Sequence, residues 1–265
     1  RARILLLFGL AGLFYWLLGR LEVEYFYMPR PERTQPPAGI EAVSLASEDG
    51  VRLSAWWQAG PTNSPSLLYL HGNDCTLSST QSYLRAMKSL GVSVLALDYR
   101  GYGQSQGTPS EEGLARDARA AYRTLQQRAS GALVIHGHSL GGAVAARLAS
   151  EVSASALILE STFSSARDIA HYRGGSAASW LLRSRFPSRM HLAKVHCPVL
   201  IIHAQDDRSI PVSMAQQLFE SAHQPKQLWL IPTGGHSVYL NLPQAEYVGG
   251  LKDFLGKISI AGRRD

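Results

Sequence analysis

Short apolar runs alternate with amphipathic stretches along most of this chain. Runs of strand length occupy 42–46, 53–57, 67–70, 92–97, 133–135, 156–159, 199–203 and 227–231. Several are unbroken apolar segments, the pattern of strands covered on both faces. Between them, apolar residues recur at helical spacing over 80–90, 111–128, 140–151, 212–222 and 243–257. The second of these opens after Pro109 and Ser110, with Ser110 placed to cap the helix and Glu111 and Glu112 in its first turn. Strands alternating with helices predict an α/β fold. No internal repeat or low-complexity tract interrupts it.

Two regions depart from the alternation. Residues of about 163–197 include Trp180, Leu181, Leu182 and Phe186 among arginines, and they are too many for an ordinary connection. They read as a small helical cap inserted in the domain. The first thirty residues differ more sharply: 4–19 is a run of sixteen residues without a charge, between Arg1 and Arg3 on one side and Arg20 on the other. A spanning helix takes about 20 apolar residues, with roughly 17 as the short limit. Snorkelling arginines close that gap, and no small-residue cleavage site of a secretory signal follows. The expectation is an uncleaved single-pass membrane anchor; the alternative is an apolar helix lying on a membrane surface or packed on the domain. Tyr15, Trp16, Tyr25 and Tyr27 suit an interfacial belt, and Arg1 and Arg3 favour a cytoplasmic N-terminal side, with the main domain on the periplasmic or extracytoplasmic side. Pro29, Pro31, Pro36 and Pro37 then read as an extended linker. The expected organisation is 1–30 as anchor and juxtamembrane segment, and 31–265 as the main domain with its cap insertion.

Composition narrows the classes. At 45% hydrophobic and 17% charged residues the chain builds a core and is not disordered. Its two cysteines, Cys75 and Cys197, form neither a disulfide framework nor a zinc ligand set. The formal charge of +6 hints at an acidic partner. Most of it lies in the cap, where Arg167, Arg173, Arg183, Arg185, Arg189 and Lys194 face only Asp168. No nucleic-acid motif accompanies these residues, and a basic, apolar cap fits anionic lipid headgroups better.

Chemistry enters at Gly137-His138-Ser139-Leu140-Gly141, set between a strand and a helix. This G-x-S-x-G spacing forces a sharp turn that exposes the Ser139 hydroxyl at the sheet edge, as a nucleophile requires. A serine needs a base to take its proton and an acid to orient that base. His236 follows the last strand on a loop loosened by Gly234 and Gly235, which makes it the candidate base. Asp206 and Asp207, both just past the strand at 199–203, are candidates for the acid, and Glu160 at an earlier strand end is a rival. The amides of Leu140 and Asn73 are candidate donors to an oxyanion, with Gly72 letting the backbone approach closely.

These motifs, together with His71-Gly72-Asn73, the segment Asp98-Tyr99-Arg100-Gly101-Tyr102-Gly103-Gln104-Ser105 and the stretch from His203 to Pro211, resemble the α/β-hydrolases, within them the Bem46-like branch of ABHD13 and ABHD17 type. The resemblance covers about 40–258. It implies an eight-stranded, mostly parallel sheet with helices on both faces, and a Ser-His-Asp serine hydrolase that needs no cofactor or metal. It lays the acid on Asp207 and gives Asp98 and Arg100 structural roles. Membrane-anchored members are common in this branch.

The expected activity is hydrolysis of carboxylic esters by an acyl-enzyme, as an esterase or lipase acting on fatty-acyl, lysophospholipid or phospholipid substrates. An acyl-protein thioesterase is the alternative within enzymes, and a non-catalytic lipid-binding scaffold the alternative outside them. Aspartate-based dehalogenation is excluded by the serine at the elbow.

Overall fold

The computed structural model describes residues 2–261, with side chains described for 12–258. In chain order the elements are helix α1 (Ala2–Glu22), strands β1 (Glu41–Ala46), β2 (Arg52–Gln58) and β3 (Ser66–Leu70), then α2 (Gln81–Leu90), β4 (Ser93–Asp98), α3 (Glu111–Arg128), β5 (Leu133–His138) and α4 (Leu140–Glu151). There follow β6 (Ala156–Glu160), α5 (Ala166–Leu181), α6 (Ser188–Leu192), β7 (Val199–Ala204), α7 (Val212–Ser221), β8 (Lys226–Ile231), α8 (Val238–Asn241) and α9 (Gln244–Ala261).

The eight strands form one sheet in the order β1-β2-β4-β3-β5-β6-β7-β8. Only β2 runs against its neighbours; β4, β3, β5, β6, β7 and β8 are parallel. Burial explains the unbroken apolar runs. Every residue of β3, β4, β6 and β7 is buried, because helices cover both faces. One core joins the sheet to α3, α4 and α7 through residues such as Leu114, Tyr122, Val144 and Leu218. The other joins it to α2 and α9 through Tyr83, Met87, Tyr247 and Phe254. Ser110 caps α3 as its position implies, its hydroxyl accepting from the Gly113 amide at 3.1 Å. The cap comprises α5, broken at Gly175 where φ is +72°, and the short α6.

A helix does form over 2–22, but no helix among the described residues is long and apolar enough to cross a membrane. Tyr27 is not an interfacial residue, since it is 1% exposed and sits in the core of the main domain. Past a π-helical turn at Val23–Tyr27, the proline-rich stretch is extended, and Pro31 pairs in parallel with Gly103. The segment expected to be a free linker is therefore stitched to the domain.

Candidate active site

Four loops meet at the carboxyl edge of the sheet, after β3, β5, β7 and β8, where parallel α/β sheets place their chemistry. The turn from β5 into α4 holds Ser139 at φ 54° and ψ −120°, a conformation that costs a non-glycine residue about 1–3 kcal/mol. Its neighbours impose it. A Cβ on Gly137 would stand 2.2 Å from the Gly141 carbonyl oxygen, and one on Gly141 would stand 2.0 Å from that of Leu70. The Ser139 amide donates to the Glu160 carbonyl at 2.9 Å, and Thr162 Oγ1 donates to the Ser139 carbonyl at 2.6 Å.

His236 Nε2 lies 3.0 Å from Ser139 Oγ, and His236 Nδ1 lies 2.8 Å from Asp207 Oδ2. A carboxylate only accepts, so Nδ1 carries the proton and Nε2 is left to accept from the serine hydroxyl. Asp207 is itself fixed, its Oδ1 accepting the amides of Ser209 at 2.7 Å and Ile210 at 3.1 Å. Burial works to raise the Asp207 carboxyl, but the hydrogen bond and charge of His236 and those two amides outweigh it and hold the group below the usual carboxylate range.

The rivals for the acid have other partners. Asp206 Oδ1 accepts the amides of Gly234 and Gly235, at 2.9 and 2.8 Å, and so braces the loop that carries His236. Those two amides hold its carboxyl below the ordinary range. Glu160 is fully buried and faces inward: it accepts from Tyr247 Oη at 2.7 Å and from the Tyr239 amide at 3.2 Å, with His136 Nε2 3.3 Å away.

The loop after β3 approaches the nucleophile closely. A Cβ on Gly72 would lie 3.0 Å from Ser139 Cβ and 3.2 Å from His138 Nδ1, so a side chain there would crowd the elbow. This puts Asn73, the next residue, beside the elbow. Leu140 is the first residue of α4, and its amide therefore has no intrahelical partner. Asp98 braces the same loop by accepting the Leu77 amide at 2.9 Å, while Arg100 pairs with Asp49 and Asp117, both at 2.8 Å. Both are structural, as the resemblance implied. Cys75 is partly buried, and burial pushes its thiol up, away from the reactive thiolate. Among the described residues no group of three His, Cys, Asp or Glu is placed to hold a metal ion.

One contributor escaped the sequence reading. His138, beside the nucleophile, donates from Nε2 to the His236 carbonyl at 3.1 Å, tying β5 to the His236 loop. Burial pushes its imidazole down to about 4, so it is neutral at pH 7. Its place inside the elbow pentapeptide was the available signal.

Comparison with known proteins shows the family. Residues 62–191 match the family model described as serine aminopeptidase, S33. The chain is 32% identical over 248 residues to the uncharacterized protein YfhR of Escherichia coli K12, covering 88% of this chain and 87% of that one. It is 34% identical over 245 residues to the lysophosphatidylserine lipase ABHD12 of Danio rerio, covering 83% of this chain and 61% of the relative. In three dimensions it is similar to the Pyrococcus furiosus esterase PF2001, with a TM-score of 0.73 at 20% identity, over 88% of this chain and 99% of that structure.

Proposed function

Since the chain belongs to the α/β-hydrolase superfamily of serine hydrolases, we propose that it is a carboxylic ester hydrolase working through an acyl-enzyme, with fatty-acyl esters of the lysophospholipid class as substrates. The observation behind the reading is the continuous relay from Asp207 through His236 to Ser139 Oγ. In this mechanism His236 Nε2 takes the hydroxyl proton as Ser139 attacks the acyl carbonyl. The amides of Asn73 and Leu140 stabilise the resulting oxyanion; each such donor contributes about 3 kcal/mol to the transition state. Protonated His236 then gives its proton to the leaving alcohol, and water, activated by the same imidazole, releases the acid. Asp207 keeps the imidazole in the required tautomer and supports its positive charge.

Two features support a lipid substrate over a soluble ester. One is the likeness to a protein named as a lysophosphatidylserine lipase. The other is a set of exposed large apolar side chains, Tyr15, Trp16, Leu21 and Tyr25 on and after α1 and Trp180 and Leu181 at the end of α5, in a chain whose cap is basic. Arg183 joins the two parts, lying over the Tyr15 ring at 4.1 Å and donating to its hydroxyl at 2.9 Å. Aromatic side chains beside arginines suit the boundary of an anionic bilayer. Ser139→Ala should abolish both hydrolysis of p-nitrophenyl butyrate and fluorophosphonate labelling while leaving the thermal transition in place. Activity retained in that variant would sink the assignment. Initial rates on lysophosphatidylserine against an acyl-cysteine peptide separate lipase from thioesterase.

A further inference from the structure

The extended stretch after α1 runs beside the oxyanion loop and is bonded to it at several points. The Asn73 carboxamide donates to the Phe26 carbonyl at 2.9 Å, and Arg30 Nε lies 2.6 Å from Asp74 Oδ1. Glu32 Oε2 accepts from Thr76 Oγ1 at 2.5 Å and from Ser78 Oγ at 2.7 Å. The stretch is itself fixed to the domain. Tyr102 Oη donates to the Tyr27 carbonyl, the Gly103 amide to Arg30 at 2.8 Å and the Glu32 amide to Gly103 at 3.0 Å. Its other side meets the cap: Tyr27 and Ser184 share a hydroxyl hydrogen bond of 2.5 Å, and the Phe26 and Phe186 rings stand 5.9 Å apart.

We infer that residues 26–32 act as a strap that holds the oxyanion loop in its reactive position, with the Asn73 side chain, Arg30 and Glu32 as positioning groups. This rests on the reading of the Asn73 amide as an oxyanion donor. The argument is geometric. Asn73 is a loop residue outside any helix or strand, so nothing in the sheet sets the direction of its N–H. Its side chain is tethered to the strap, and Asp74, Thr76 and Ser78 are tethered further along. A donor aimed at an oxyanion must be in place before the charge develops, and a displacement of about 1 Å can cost roughly 100-fold in rate. Losing the tether should therefore weaken transition-state binding and leave the ground-state ester nearly unaffected.

The test uses Asn73→Ala, Glu32→Ala and Glu32→Gln in the full chain, with Arg30→Ala as an exposed variant that does not threaten folding. Steady-state kinetics on p-nitrophenyl butyrate are read beside the affinity for a butylboronic acid, which forms a tetrahedral adduct on Ser139. Asn73→Ala and Glu32→Ala should lower kcat by roughly 10- to 100-fold with KM changed by less than about twofold, and weaken the boronate by the same factor. Arg30→Ala should fall in the same direction by less, and Glu32→Gln, which keeps an acceptor oxygen, should recover most of the rate. An active wild type with Asn73→Ala and Glu32→Ala within twofold of it, or with the loss confined to KM, overturns the strap. A wild type that neither turns over the ester nor labels with fluorophosphonate overturns the hydrolase reading beneath it.

Discussion

Adjacent aspartates at one strand end have separate work. Asp207 points at His236, while Asp206 turns to the amides of Gly234 and Gly235, the pair that immediately precedes His236. Asp207→Asn should therefore cost about 10⁴ in kcat, because an amide at that position allows the wrong imidazole tautomer. Asp206→Asn keeps an oxygen for the two glycine amides and should retain most activity; a larger loss there than at Asp207 would reverse the assignment. His138 sets a pH limit at the same scale. Its imidazole is held down at about 4 by burial, against about 6.5 when unfolded. The unfolded chain thus binds more protons between those values, and stability present above pH 6.5 is lost as the pH falls toward 4. The loss from this group is about 3 kcal/mol across the window. Urea unfolding at pH 7 and pH 4.5 should show it, and His138→Asn should flatten the difference.

The elbow depends on two elements packed without side chains between them. Gly141 in α4 faces the Leu70 carbonyl at the end of β3, and Gly142 faces Thr162 beyond β6. Gly141→Ala should destabilise the fold by about 1–3 kcal/mol or more through overpacking, measured as a lowered denaturation midpoint; an unchanged midpoint would mean that β3 and α4 are not held at this spacing. At this scale the sequence was most legible. Strands buried on both faces are unbroken runs of Val, Ile, Leu and Ala, and α3 and α4 begin and end where their spacing places them. Ser139 and His236 were legible because each follows a strand in a fixed order; strand order alone left Asp206 beside Asp207, and only the resemblance separated them. The strap was not. Its anchors are largely main-chain carbonyls and amides, and a proline-rich stretch reads identically whether it is solvated or bonded to a neighbour. The helix at 2–22 was legible as a helix, but its apolar length was borderline, and Arg20 and Glu22 lie within a turn of its end.

Across the whole molecule, exposed aromatic residues stand with Arg183 where α1 meets the end of α5. Trp180 is 81% exposed. Co-sedimentation should show stronger binding to vesicles containing phosphatidylserine than to phosphatidylcholine alone, weakened by high salt as the surface charges are screened. Trp180→Ser together with Arg183→Ser should reduce that binding with little effect on p-nitrophenyl butyrate; equal binding to both vesicles would remove the case for an anionic surface. The core position of Tyr27 also decides where the chain can be shortened. A version beginning at residue 31, at the boundary composition suggests, would leave a tyrosine-sized void and strand the Tyr102 hydroxyl and Ser184 without their partners. One beginning at residue 22 keeps Glu22, which accepts the Ser184 amide at 2.6 Å, and sheds only the apolar helix. Solubility and folding thus part company within nine residues.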